Sequence, residues 1–323
     1  MDSTSPPSTS PNKRKAPYDP AGYSNKAAKH RSDQTANAVA MHYNMRPEVG
    51  VERRKESNIY QLKCFNNWIK SVLIHRYARP GIHVLDMGCG KGGDLLKWDK
   101  ARIAGYVGAD VAEVSIRQAE ERYRNLRRAR FSAHFYALDC YTTPLTSVLR
   151  SPQTFHIVTM QFCMHYAFET EAKARMMLRN VTSNLARGGY FIGTIPDAYW
   201  IVKKLKSVEG LEIGNSIYSI RFDQRESFPL FGCRYNFHLE DAVDCPEYLV
   251  HFPTFQKLAR EYGLTLMYKQ RFHELYDDAR RDPEFLSLLY RMGVIKTSPE
   301  PRGLSEEEWE AAGIYLSFAF KKE

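Results

Sequence analysis

Apolar and polar positions alternate with helical period first. From about Asn58 to Tyr77, Ile59, Leu62, Phe65, Ile69 and Leu73 fall on one arc at about 100° per residue, which predicts an amphipathic helix with Ser57 as its N-cap. Asn66 lies inside that arc and Lys70 at its edge. A polar side chain facing the interior must find partners or cost stability, so both are candidate ligand contacts, against the simpler reading of a core amide satisfied by backbone. Ile82, Val84 and Leu85 then form a short apolar strand, which breaks at glycines and re-enters helix from about Asp94 to Arg102. Further strands are predicted at 105–110, 132–138, 155–161 and 190–195. Helical stretches follow at 113–130 and up to about Ala186, the latter closing on Gly188-Gly189. Strand and helix in turn predict a doubly wound, mostly parallel α/β sheet.

Between Ser207 and about Val250 the period drops to two, in Ile217–Phe222 and Cys233–Leu239, which predicts an antiparallel insertion. A helix (254–262), a strand (264–269), helical turns through Tyr290, a variable loop and a last strand (313–320) complete the chain, with no internal repeat. Residues 1–36 are Ser-, Thr- and Pro-rich, then basic, with almost nothing to bury, and are expected to be disordered, leaving 37–323 as the folded domain. Their clusters, Lys13-Arg14-Lys15 and Lys26, Lys29, Arg31, fit a bipartite nuclear import signal and a merely solvated tail equally well.

The chemistry concentrates in the turn after the first strand. Gly88, Gly90 and Gly93 spell G-x-G-x-x-G, which alone also fits a dinucleotide fingerprint or simply a tight turn. Asp86, at the strand tip, separates these readings: a carboxylate there repels a pyrophosphate but suits an amino group and a sulfonium, and so favours S-adenosylmethionine. Asp110 ends the second strand 22 positions after Gly88, where an acid can bind ribose hydroxyls, and Asp139 ends the third, toward the adenine. The fourth strand runs through Gln161 into Phe162, His165 and Tyr166; the two last have polar tips that require partners, while Phe162 reads equally as packing. Arg117, Arg122, Arg124, Arg127 and Arg128 on the third helix read mostly as a solvated face.

Composition sharpens this only slightly. Lys and Arg number 46 against 37 Asp and Glu, a formal net charge of +9 that favours a polyanionic partner. Six cysteines form neither a C-x-x-C pair nor a zinc spacing, and no secretory leader is recognisable, so reduced thiols, an intracellular protein and no metal are expected. No apolar run approaches the roughly 20 residues that span a bilayer.

From His42 onward the chain resembles the eukaryotic mRNA cap guanine-N7 methyltransferases, of cellular and fungal type. The matching stretches include His42-Tyr43-Asn44, Phe65–Ile74, Leu85–Trp98, Gln161–Tyr166, Pro229–Tyr235, Pro246–Val250 and Ile314–Phe320. The resemblance implies a Rossmann-like sheet with S-adenosylmethionine as cofactor, no metal, and methyl transfer to guanine N7 of capped RNA. It also implies a nuclear location, with capping enzymes and transcribing RNA polymerase II as candidate partners. Carried over by position, it places cofactor contacts at Lys70, Gly88, Asp110, Asp139, Gln161 and Tyr166. Cap contacts fall at Asn66, Asn67, Lys91, Lys97, Arg122, His165, Glu247 and Tyr315, and no residue acts as nucleophile or acid/base. A methyltransferase for another base or small molecule, a catalytically silent RNA-binding module and an NAD-dependent oxidoreductase are the competing classes.

Overall fold

The computed structural model describes residues 39–42, 44–45, 56–126, 129–149, 154–295 and 303–323. The tail expected over residues 1–36, together with Tyr43, Arg127 and Arg128, lies outside the described residues. A seven-stranded sheet has the order β10 (Leu264–Arg271), β11 (Tyr315–Lys322), β5 (Leu185–Pro196), β4 (Phe155–Gln161), β1 (His83–Met87), β2 (Gly105–Asp110), β3 (Ser132–Ala137). β5 to β3 are parallel, whereas β11 runs antiparallel between β5 and β10. The order reverses between β1 and β4, and the crevice beyond the carboxyl ends of such strands is where open α/β sheets bind ligands. Val84, Leu85, Val107, Val158 and Met160 are fully or almost fully buried, as expected of parallel strands covered on both faces.

A second, antiparallel sheet comprises β6 (Glu212–Gly214), β7 (Tyr218–Phe222), β8 (Arg234–Leu239) and β9 (Val243–Tyr248). It occupies the expected insertion but has two strands that alternation did not reveal. β9 is an edge strand, which tolerates Pro246 because an outward position needs no N–H. The inner face of this sheet (Ile220, Phe222, Tyr235, Phe237) joins one core with Phe65, Trp68 and Ile69 of α1 (Tyr60–Tyr77). That core brings Glu247 of β9 toward the mouth of the main sheet.

Ser57 does not cap α1 with its side chain; its carbonyl accepts the Tyr60 N–H and its hydroxyl donates to Asp241. The Leu62 N–H is satisfied instead by the buried Glu308 carboxylate, from α9 (Glu306–Ala312), in the segment expected as a variable loop. The helix α4 (Glu171–Asn184) ends at an extended Leu185, so Gly188-Gly189 does not cap it. The glycine pair lies within β5, where five steps from Leu185 to Tyr190 oppose two from Phe155 to Ile157, and a Cβ on Gly189 would lie 2.9 Å from the His156 carbonyl. α3 (Glu113–Arg124) is shorter than its basic run suggested.

Candidate active site

Lys70, Gly88, Asp110, Asp139, Gln161 and Tyr166, the six expected cofactor contacts, all line one cavity of about 300 Å3 at the carboxyl ends of β1 to β4. This is the lower end of the range for small-ligand pockets. The turn that floors it is tight: Gly88 has φ of +83°, and a Cβ there would lie 2.4 Å from the Cys163 sulfur. Gly92 has φ of +70° with Leu95 and Ala119 close against its Cβ position, whereas the Cβ position of Gly93, the third glycine of the pattern, is open.

Among the carboxylates that line this cavity, three come from β1, β2 and the turn after β3, beside Asp94 and Glu169. Asp110 accepts the Gly90 and Ala112 N–H groups at 2.8 and 2.9 Å, and burial still pushes its carboxyl above the ordinary range. Asp139 accepts from the Tyr141 N–H and the Thr142 hydroxyl, an Asx turn that fixes its direction. Asp86 is 3% exposed and accepts the Tyr106 hydroxyl at 2.8 Å. Burial and the neighbouring Asp94 charge push its carboxyl up to about 7. A buried acid such as Asp86, without an ion-pair partner of its own among the described residues, suits a ligand that is itself cationic, and the half-buried Asp110 and Asp139 offer acceptors for hydroxyl and amino groups. These residues therefore fit the ammonium, sulfonium and ribose of S-adenosylmethionine. Among the described residues, no group of three or more His, Cys, Asp or Glu side chains could hold a metal ion.

Gln161 at the tip of β4 donates to Thr159 and accepts from Thr194, so its amide is fixed in place. Phe162 next to it adopts φ of +60°, costly for a bulky residue, with its N–H held by Thr194. That turn aims the Phe162 ring at Tyr315, edge-on with centroids 5.0 Å apart, while Phe272 stacks on Tyr315 at 5.6 Å and meets Phe162 edge-on at 5.9 Å. The three aromatic residues converge from β4, β11 and α7 (Phe272–Ala279). Phe162 thus packs in this aromatic cluster and also lines the cavity.

Beside this wall lies Glu247, 4% exposed. Tyr235 donates to its Oε2 at 2.7 Å and Tyr166 to its Oε1 at 3.4 Å. The His165 Nε2 is 3.2 Å from Oε1, near enough for an ion pair but misaligned for a hydrogen bond, and both its ring nitrogens lack hydrogen-bond partners. Tyr166 both lines the cavity and reaches Glu247, so the two regions share a wall. Tyr235 carried no expected role; its place in the alternation of β8 marked it only as buried.

The expected phosphate contacts come together only in part. Lys97, on α2 (Leu95–Lys100), directs its ammonium to Asp94 at 2.6 Å, Asn67 Oδ1 at 3.0 Å and the Gly93 carbonyl at 3.4 Å. Burial lowers its pKa, against the pull of Asp94 in the other direction. Asn66 is half-buried, with a buried Oδ1 that has no hydrogen-bond partner, so backbone does not satisfy that oxygen. Lys91 lies in the glycine turn, and Arg122 is half-buried in the last turn of α3, outside the cavity lining. Asp94 is the residue that sequence reasoning passed over. It stood as a helix start, yet it lines the cavity and pairs with both Lys70 and Lys97.

Sequence similarity identifies the family. The family described as "mRNA (guanine-N(7))-methyltransferase domain" matches residues 26–323. An mRNA cap guanine-N(7) methyltransferase of Cryptococcus neoformans is 53% identical over 295 residues, 88% of this chain and 47% of that protein. The similarly described protein 1 of Arabidopsis thaliana is 48% identical over 301 residues, covering 89% of this chain and 81% of its own. The Schizosaccharomyces pombe counterpart is 47% identical over 306 residues, covering 90% and 84%. The chain spans about half the length of the Cryptococcus relatives it matches.

Proposed function

Since the chain belongs to the mRNA (guanine-N(7))-methyltransferase family, we propose that it methylates N7 of the guanosine cap on 5′–5′ triphosphate-capped RNA, with residues 37–323 as the working domain. Bound in the cavity, S-adenosylmethionine supplies an electrophilic methyl group. Asp86, Asp110 and Asp139 hold its ammonium, ribose and adenine ends, aided by Lys70, Gly88, Gln161 and Tyr166. Glu247 accepts from the guanine N1–H and amino group, and so reads the edge that distinguishes guanine from other purines. His165 and Tyr315 orient the base, Asn66 and Asn67 add polar contacts, and Lys91, Lys97 and Arg122 hold the triphosphate.

Guanine N7 carries its lone pair at neutral pH, so no side chain need remove a proton. The chain's contribution is then orientation, worth up to roughly 7–11 kcal/mol when reacting atoms are held in line. Glu247 adds an electrostatic share, because its charge favours the positive charge that develops on the purine ring. The observation that carries this reading is the buried Glu247, addressed by Tyr235 and Tyr166 and joined to the cavity wall through Tyr166. The test is transfer of a radiolabelled methyl to capped RNA, with digestion of the product. Label in 7-methylguanosine is expected, and label elsewhere in the RNA or none at all overturns the reading. We place the protein in the nucleus, beside the capping enzymes and transcribing RNA polymerase II; cell imaging and co-purification with the polymerase test that placement.

A further inference from the structure

Asp94 stands where the two subsites meet. Its carboxylate is 7% exposed, and Lys70 Nζ lies 2.8 Å from Oδ1 and 3.0 Å from Oδ2. Lys97 Nζ lies 2.6 Å from the same Oδ1 and 3.0 Å from Asn67 Oδ1. Lys70 and Asp94 line the cofactor cavity, whereas Lys97 belongs to the proposed phosphate subsite and Asn67 to the proposed cap contacts. One oxygen therefore serves a cation from each side. We propose that Asp94 couples the two subsites, so that S-adenosylmethionine and capped RNA each strengthen the binding of the other. This rests on the methyltransferase reading.

The sign follows from charge. The Lys97 ammonium has three N–H donors, and Asp94, Asn67 and the Gly93 carbonyl occupy them. A phosphate approaching Lys97 draws the ammonium toward itself and loosens its hold on Asp94. The carboxylate then presents more uncompensated negative charge to the cavity, which favours a cationic ligand there. Conversely, a cation in the cavity competes for Asp94 and releases Lys97 toward phosphate. Burial keeps these interactions strong, since little water screens them. The two carboxylate–ammonium pairs also hold Asp94 ionised: although burial raises its pKa, Lys70 and Lys97 keep it well below the ordinary carboxylate range. Asp94 thus remains a full charge for the two sites to share. By linkage, each ligand must change the other's affinity by the same factor.

S-adenosylhomocysteine keeps the amino and carboxylate groups but cannot react, so it serves as the probe. Its Kd is measured by calorimetry with and without saturating GpppA, in the intact protein. In wild type the Kd should fall about fivefold or more with GpppA, and GpppA should gain the same factor from S-adenosylhomocysteine. In Lys97→Met, and in Asp94→Asn, which keeps the Lys97 charge, the factor should fall to about one. Should Lys97→Met take up no GpppA, Asp94→Asn alone decides. A wild-type factor of one overturns the proposal, as does a factor that persists in Asp94→Asn. Methyl transfer to GpppA is measured alongside in wild type. Transfer without coupling overturns only the role of Asp94, whereas absence of both transfer and GpppA uptake overturns the cap reading itself.

Discussion

The proposed cofactor cavity takes most of its wall from the tips of β1 to β4, neighbours in one sheet, whereas the proposed base site gathers residues from separate elements. Glu247 comes from the edge of the second sheet, His165 from a 3-10 turn after β4, and Tyr315 from the antiparallel β11. The cavity's bonds lie mostly within one sheet and the turns at its edge, as from Asp110 to the Gly90 and Ala112 N–H groups and from Asp139 to Tyr141 and Thr142, so they are local in space. The other region is held within the second sheet by Tyr235 on Glu247, and across elements by Tyr166 on Glu247 and by the stack of Phe272 on Tyr315. A cavity built locally keeps its shape as the strands around it form. A site built from separate elements depends on the docking of two sheets through the core of α1. The first should fail by losing its ligand and the second by losing discrimination.

The largest effect is expected at Asp110. In Asp110→Ala, the Gly90 and Ala112 N–H groups lose a charged acceptor, and each such bond is worth about 1.5–3 kcal/mol. Cofactor affinity should fall about 100-fold or more, with methyl transfer lost and circular dichroism unchanged; unaltered affinity by calorimetry would break the local half of the comparison. Next comes Glu247→Gln. An amide replaces a carboxylate that reads two donors, so kcat/KM on capped RNA should fall about 10- to 100-fold, the scale of one charge-assisted bond. The preference for guanine over inosine caps should shrink, because inosine lacks the amino group. Cofactor Kd should stay at the wild-type value; an equal loss there would show that Tyr166 merges the halves into one site.

A smaller effect concerns pH. Asp86 has its carboxyl raised from 3.8 to about 7 in the ligand-free fold. The folded state therefore binds more protons than the unfolded one between those values, so this group's contribution is fully present below 3.8 and is lost as pH rises through about 7. Ligand-free stability should decline across that window, and less so in Asp86→Asn. A cationic cofactor prefers the ionised form, so its affinity should rise from pH 6 to 8, with proton release detectable by calorimetry in buffers of different ionisation enthalpy. Affinity that is flat with pH in wild type would show that Asp86 is already charged in the empty cavity.

The same contrast explains what the sequence disclosed. The strands 105–110 and 155–161 stand where their apolar runs predict, because a strand–turn–helix is a local object, and the six cofactor contacts expected from the resemblance line one cavity. Signals that depend on a distant partner misled. Ser57 reads as an N-cap, yet the Leu62 N–H finds Glu308 from the far end of the chain. Gly188-Gly189 reads as a helix stop, yet it is a bulge whose partner is β4. The helix α9 was visible in principle, since Ser305 and Glu308 form a capping box, but its short length hides any periodicity. Glu247 could be selected only through family resemblance, because nothing in Pro246-Glu247-Tyr248 announces the phenol of Tyr235. Asp94 was in plain view; its significance came only from Lys70 and Lys97 closing on it from two elements.

The smallest effect separates two residues assigned alike from the sequence. Lys97 is held within the Asp94–Asn67 network, next to the cavity wall, whereas Arg122 stands in the last turn of α3, outside the cavity lining. A cation that contacts phosphate releases counterions on binding, so its removal flattens the salt dependence of affinity, by up to about 0.7 in log–log slope for a single strand. Lys97→Ala should therefore raise KM for capped RNA several-fold and flatten that slope, with base preference intact. Arg122→Ala should do the same to a smaller degree if α3 reaches the triphosphate, since a half-buried guanidinium at a helix end contacts phosphate through fewer of its donors. KM is measured for both variants at two salt concentrations, on one capped oligoribonucleotide. If Arg122→Ala keeps the wild-type slope while Lys97→Ala loses part of it, the phosphate subsite ends at α2 and Arg122 belongs to the solvated face. If neither slope changes, the triphosphate is held by other groups, and the line drawn here between a base-reading and a phosphate-holding half falls.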